Sequence, residues 1–157
     1  MTAAAGRDEA DLYRPFRPRA ARIVSIVLAI VVLAMMITLA AVLPQVAPGR
    51  QSWLDRAGIV AFGALVAWFL MRQAGVRADP DREGLTVRNL MLTRRVTWVQ
   101  VVSVRFGQGR PWVQLDLDEG DLLAVMAVQQ ADGALAANEA RRLATLVALH
   151  SQTPRDD

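Results

Sequence analysis

Cysteine is absent from this chain of 157 residues and histidine occurs once. The first absence excludes disulfides, thiolate metal sites and cysteine nucleophiles. The second leaves His150 alone beside Ser151, at what reads as a helix C-terminus, where the helix dipole favours a cation. A hydroxyl nucleophile needs a base within reach, and a catalytic metal needs several converging His or carboxylate ligands with an open position; the sequence has no such constellation. Lysine is also missing, so the 18 basic residues are all arginine and the formal charge is +3. With abundant Ala and Val, an all-arginine set is the mark of GC-rich coding. An arginine-based nucleic-acid surface would cluster basic residues with interleaved aromatics, whereas Asp79, Asp81, Glu83, Asp116, Asp118, Glu119 and Asp121 dilute the polar part. Trp98 and Trp112 read as core or rim aromatics rather than base-stacking platforms. The chain is therefore expected to be no enzyme, to use no cofactor or metal, and to bind no nucleic acid.

What the chain has in quantity is apolar sequence near its start. Ile23 to Leu43 is interrupted only by Ser25 and Thr38, both able to return a hydroxyl bond to a helix backbone. A spanning helix needs roughly 20 apolar residues to cross ~30 Å of hydrocarbon and satisfies every backbone group internally. A signal peptide expects an apolar core of roughly 7–15 residues with a small-residue cleavage site; this run is longer and Pro44 closes it. The second run, Ala57 to Met71, is shorter and alone fits a core helix or a re-entrant segment. Its flanks favour a span: Arg56 and Arg72 are placed to snorkel, and Trp53, with Trp68 and Phe69, suits the aromatic belts of the two interfaces. Extension through Gly75 gives helices of about 23–43 and 57–76, with Arg22, Trp53, Arg56, Trp68 and Arg72 as interface anchors. Ala57, Ala61, Ala64, and Gly63 with Ala67, recur at spacings that let helix backbones approach, although Ala is common throughout the chain.

Arginine asymmetry sets an expected orientation. Arg7, Arg14, Arg17, Arg19 and Arg22 precede the first run and Arg72, Arg77, Arg82 and Arg88 follow the second, while the linker 44–56 holds only Arg50 and Arg56. Short arginine-rich flanks stay cytoplasmic, so both termini are expected inside a cell-membrane protein that crosses twice, with the linker outside. Residues 1–20 read as a basic flexible tail. Within it Tyr13 and Phe16 support two readings, insertion at an anionic lipid interface or a Pro-punctuated linker before the helix.

From Val76 the pattern alternates, the mark of half-buried strands. Leu85 and Val87, Val96 and Trp98, then Val102, Val104 and Phe106, and Val113, Leu115 and Leu117, each share a side, before a return run LLAVMAV. Turn residues at 80–84, 89–92, 107–111 and 118–121 keep the connections short, so the sheet is antiparallel. Asp116 and Asp118 have the spacing of the first two ligands of a calcium loop, but glycine falls fifth rather than sixth and Ala127 replaces the twelfth-position Glu. DLDEGD therefore reads as a hairpin turn with Gly120 at positive φ. After Gly133 the period becomes helical, with Ala140, Leu143, Ala144 and Val147 on one face.

Strands closed by one helix suggest a small curved sheet or open barrel. The chain resembles the bacterial pleckstrin-homology-like domain of small membrane proteins from high-GC bacteria, on its GLTVRN strand at Gly84 to Asn89, its basic step from Arg94 into Trp98, and its VRF strand at Val104 to Phe106. The resemblance implies an α+β membrane-anchored protein: an N-terminal two-helix transmembrane hairpin over 21–76, a PH-like antiparallel sheet or open barrel over 77–150 closed by a C-terminal helix, and a tail over 151–157. It further implies a noncatalytic interaction module at the cytoplasmic face, with the bilayer and a membrane or envelope protein as partners. The alternative is recognition of an anionic lipid headgroup by an arginine-bearing strand face. Eukaryotic relatives use a basic first hairpin for this, and Arg77, Arg82, Arg88, Arg94, Arg95 and Arg105 are the candidate contacts. In the first hairpin Asp79, Asp81 and Glu83 offset Arg77 and Arg82, and Arg94 and Arg95, adjacent in a strand, point to opposite faces.

Overall fold

A computed structural model describes residues 10–46, 52–107 and 109–151, which fall into two compact units, one formed by the chain up to Ala20 together with the part from Val76, the other spanning Ala21–Gly75. The expected tail 1–9, the linker residues 47–51 and the C-terminal residues 152–157 lie outside the described residues.

The helical unit is built on α1 (Arg19–Val46) and α2 (Trp53–Ala74). Both are long and apolar enough to cross a membrane, with mean hydropathies of 3.1 and 1.6 over their most apolar windows. α1 runs through Pro44 to Val46 instead of stopping before it, with Pro44 unable to donate the backbone hydrogen bond to the carbonyl four residues earlier. α2 starts on a capping box, in which the Ser52 hydroxyl accepts from Leu54 N–H and the Asp55 carboxylate accepts from Ser52 N–H at 2.8 Å. Of the small residues expected to mediate helix approach, only Gly63 and Ala67 are buried; Ala57, Ala61 and Ala64 are exposed. Gly63 faces α1 so closely that a Cβ there would lie 2.8 Å from the Met36 side chain. The helix seam is thus four residues apart on α2, the spacing that stacks side chains on one helix face.

Among the described residues, the second unit holds six strands in two antiparallel three-stranded sheets. The first contains β1 (Arg77–Pro80), β2 (Gly84–Arg88) and β3 (Thr93–Thr97); the second contains β4 (Val101–Arg105), β5 (Trp112–Leu117) and β6 (Leu122–Gln129). α3 (Ala134–Ser151) packs against β4 and β6 and the short 3-10 turns beside them. This is the expected α+β class, with the sheet divided in two rather than continuous. The division falls at the 3-10 turn Trp98–Gln100, where the chain leaves β3 and enters β4.

Alternation explains most of the core. Val113, Leu115 and Leu117 all point inward from β5, and Leu123, Val125 and Ala127 answer from β6. The VVSVRF segment departs from expectation at Val102: the register shifts between Val101 and Ser103, so Val101 is buried and Val102 exposed, while Val104 and Phe106 pack against the core as expected. A bulge of this kind inverts the side on which following residues project. On α3 the buried face is Ala136, Ala140, Leu143, Leu146 and Val147, and Ala144 is exposed. The turn at 118–121 is as expected, with Gly120 at φ 83° and its N–H donating to Leu117 O at 2.9 Å.

Asn89 joins the two sheets. Its side-chain Nδ2 donates to Ala124 O at 2.7 Å, and its Oδ1 accepts from Met126 N–H at 3.2 Å. A side-chain amide carries the same donor and acceptor as a peptide, so Asn89 extends the ladder along the edge of β6, where no strand lies among the described residues.

Candidate functional site

The six arginines proposed as contacts do not converge. Arg77 pairs with Asp79 at 2.9 Å on its own strand, and Arg105 pairs with Asp116 at 2.5 Å across β4 and β5. Arg94 reaches Asp121 at 3.1 Å, whereas its neighbour Arg95 turns the other way to Asp81 at 2.7 Å and Glu83 at 3.2 Å. The opposite directions follow from the pleat of β3. Arg82 lies in the exposed β1–β2 turn, and Arg88, at the end of β2, is exposed with no carboxylate partner among the described residues.

Electrostatics tie these pairs to their hairpins. Burial would raise the Asp81 pKa, but backbone N–H groups of Glu83 and Gly84 and the Arg95 guanidinium outweigh it and hold the carboxyl below its ordinary value. Arg95 is correspondingly pushed up, chiefly by its hydrogen bonds to Asp81. Asp116 is held low first by the Ser103 hydroxyl and then by Arg105. Exposed pairs of this sort contribute little to stability, but a phosphate entering the first hairpin would have to approach Asp79, Asp81 and Glu83 to reach the arginines. Among the described residues no three His, Asp or Glu side chains are grouped to hold a metal ion.

Residues 74–145 match the family model of the bacterial PH domain. These residues are a bacterial PH domain. Over 78 residues the chain is 35% identical to uncharacterized protein Rv1417 of Mycobacterium tuberculosis and to uncharacterized protein Mb1452 of Mycobacterium bovis, the match covering 50% of this chain and 51% of each relative. The chain therefore spans about half the length of the curated relatives it matches. No solved structure matches it significantly.

The PH domain is larger than its strands. Phe16, from the stretch expected as a flexible tail, is fully buried in its core, and it forms a bridge with Ala78 through bonds of 2.8 Å and 3.0 Å. This corrects the reading of Phe16 as an inserting interface residue and of residues 13–20 as loose: Asp132 accepts from the backbone N–H groups of Arg19 and Ala20 at 3.1 Å and 2.8 Å. Arg142 of α3 locks the segment down. Its guanidinium sits 3.8 Å from the Phe16 ring centroid, donates to the carbonyls of Asp11, Leu12 and Arg14, and is paired with Glu139. Tyr13 hydrogen-bonds His150 Nε2 at 2.7 Å, and the His150 ring stacks on Trp98 at 5.4 Å. The lone histidine thus holds an aromatic stack in place of the expected helix-end role alone, and Trp98 is a core residue whose Nε1 donates to Asp81 O at 2.9 Å.

Arg142 and Phe16 were missed because their contacts cross more than a hundred residues of sequence or an intervening helix pair. The signal that could have found Phe16 is the aromatic pair in YRPFRP, too apolar for a solvated linker. The proposed interface anchors are placed as helix-end residues: Trp53 and Trp68 are exposed, as are Arg22 and Arg56, and Arg72 lies 5.8 Å from the Trp68 ring centroid.

Proposed function

We propose that this protein is a noncatalytic interaction module whose two apolar helices anchor its PH domain at the cytoplasmic face of the cell membrane, where a membrane or envelope protein binds it. The observation that carries the reading is the Phe16–Ala78 bridge, because Phe16 precedes α1 and Ala78 follows α2. Residues on both sides of the helical pair therefore belong to one domain, so a single chain ties that domain to the helices at two points in its sequence. Anchoring raises the effective concentration of the domain toward membrane-bound partners.

The binding surface is assigned to the sheet edges. Among the described residues β3 pairs only with β2, and β4 only with β5, so each offers a row of backbone groups to an added strand. Arginines occupied by their own carboxylates favour a protein partner over a headgroup. The headgroup reading retains one supporting observation, the exposed Arg88, and salt-sensitive vesicle binding would mark it.

Crosslinking in native membranes followed by capture of the tagged full-length chain tests the module. One membrane or envelope protein is expected to be retained stoichiometrically, and lost when residues 77–150 are deleted; equal retention by the helices alone would sink the reading. For orientation, cysteine at exposed Glu119 is expected to resist a membrane-impermeant thiol reagent in intact cells and to label after permeabilisation. The chain has no cysteine of its own, so labelling in intact cells would place the PH domain outside.

A further inference from the structure

The turn between β2 and β3 is unusual for its composition. Turns favour Gly, Pro, Asn, Asp and Ser, yet after Asn89 this one reads Leu90, Met91, Leu92. Met91 is 67% exposed and Leu92 60%. They are not loose residues awaiting a place in the core: Asn89 N–H donates to Leu92 O at 2.8 Å, and the Asn89 amide is pinned to Ala124 and Met126 of β6. The clamp fixes the base of the turn and holds two large apolar side chains outward. Arg88 lies beside them, exposed and with no carboxylate partner among the described residues.

A convex pair of apolar side chains with an adjacent arginine suits a fluid apolar phase with anionic headgroups more than the groove of a folded partner. The chain supplies such a phase to its own PH domain if its helices span a membrane, since β1 begins at Arg77, directly after α2 ends at Ala74. We propose that the β2–β3 turn dips Met91 and Leu92 into the interface of the bilayer that holds the helices, with Arg88 against an anionic lipid. The inference rests on the reading of α1 and α2 as membrane spans.

The absence of cysteine permits a clean test on the full chain. Met91→Cys, labelled with an environment-sensitive fluorophore, is reconstituted into phosphatidylcholine–phosphatidylglycerol vesicles, with Glu83→Cys, at the other end of β2, as the control. A blue shift at position 91, with loss of emission when shallow spin-labelled lipid is added and neither change at position 83, is the expected result. Arg88→Gln should reduce that quenching in the anionic vesicles. If the chain resists alkaline extraction but the label at 91 stays in water, the turn does not insert, and the anchoring reading survives. A blue shift without lipid quenching would mean that protein covers the turn, and equal quenching at both positions would remove its special role; either overturns the inference. If alkaline extraction releases the chain, the anchoring reading fails and this inference with it.

Discussion

Gly84→Ala is expected to unfold the PH domain while leaving the helical unit intact. A Cβ at Gly84 would lie 2.1 Å from Val96 O and 3.0 Å from Thr97 Cα, both backbone atoms of the paired strand β3. A flexible side chain could retreat from such a contact, but a ladder partner cannot without separating the strands. Overpacking of side chains typically costs about 1–3 kcal/mol, and a backbone clash in the centre of a sheet should exceed that range. Against a domain stability of roughly 5–15 kcal/mol, the loss is enough to expose Trp98 to water. Tryptophan emission and limited proteolysis of the purified full chain would report it, while a native proteolytic pattern and melting within a few degrees of wild type would refute it. Gly120→Ala is the contrasting change. Gly120 has φ 83° and open space around it, so its substitution costs only the left-handed penalty of roughly 1–2 kcal/mol.

Phe16→Ala is the second large effect, expected to destabilise the PH domain by about 3–5 kcal/mol, the usual cost of truncating a buried phenylalanine. Its ring fills the core beneath β1 and is covered by the Arg142 guanidinium, so the substitution also removes a cation–π contact and leaves an arginine over a cavity. For a domain of this size, each kcal/mol lowers the melting temperature by roughly 4–8 °C. A melt followed by near-ultraviolet circular dichroism, which reads the packing of Trp98, would therefore fall by more than ten degrees on that scale. A shift of only a degree or two would show that the segment before α1 is not part of the domain. The prediction separates two views of residues 13–20 that differ in consequence: as a linker they could be replaced freely, as a core element they could not.

Gly84 and Phe16 also show what was legible and what was not. Both stood out in the sequence, Gly84 as the first residue of GLTVRN and Phe16 as an aromatic among prolines and arginines. Neither showed its reason. The glycine is required by the approach of Val96, set by strand register, and the phenylalanine by a core assembled from residues sixty or more positions away in sequence. Among the candidate contacts, the opposed directions of Arg94 and Arg95 were readable from strand periodicity, but their separate carboxylates, Asp121 and Asp81, were not. The Arg94–Asp121 pair depends on how the two sheets meet, and the Arg95–Asp81 pair on how the β1–β2 turn folds beside β3.

By itself the sequence determined the elements: two long apolar helices, strands with Val113, Leu115 and Leu117 facing one way, a glycine turn at Gly120 and a closing helix. Each is a local property, because hydrophobic periodicity and turn chemistry act over a few residues. Tertiary structure alone decided that the sheet splits at Trp98–Gln100, that Val101 rather than Val102 enters the core, that Asn89 bridges to β6, and that Phe16, Tyr13, Arg142 and His150 close the domain. Those outcomes depend on which surfaces meet after the chain has folded back on itself, and no short-range pattern records that meeting.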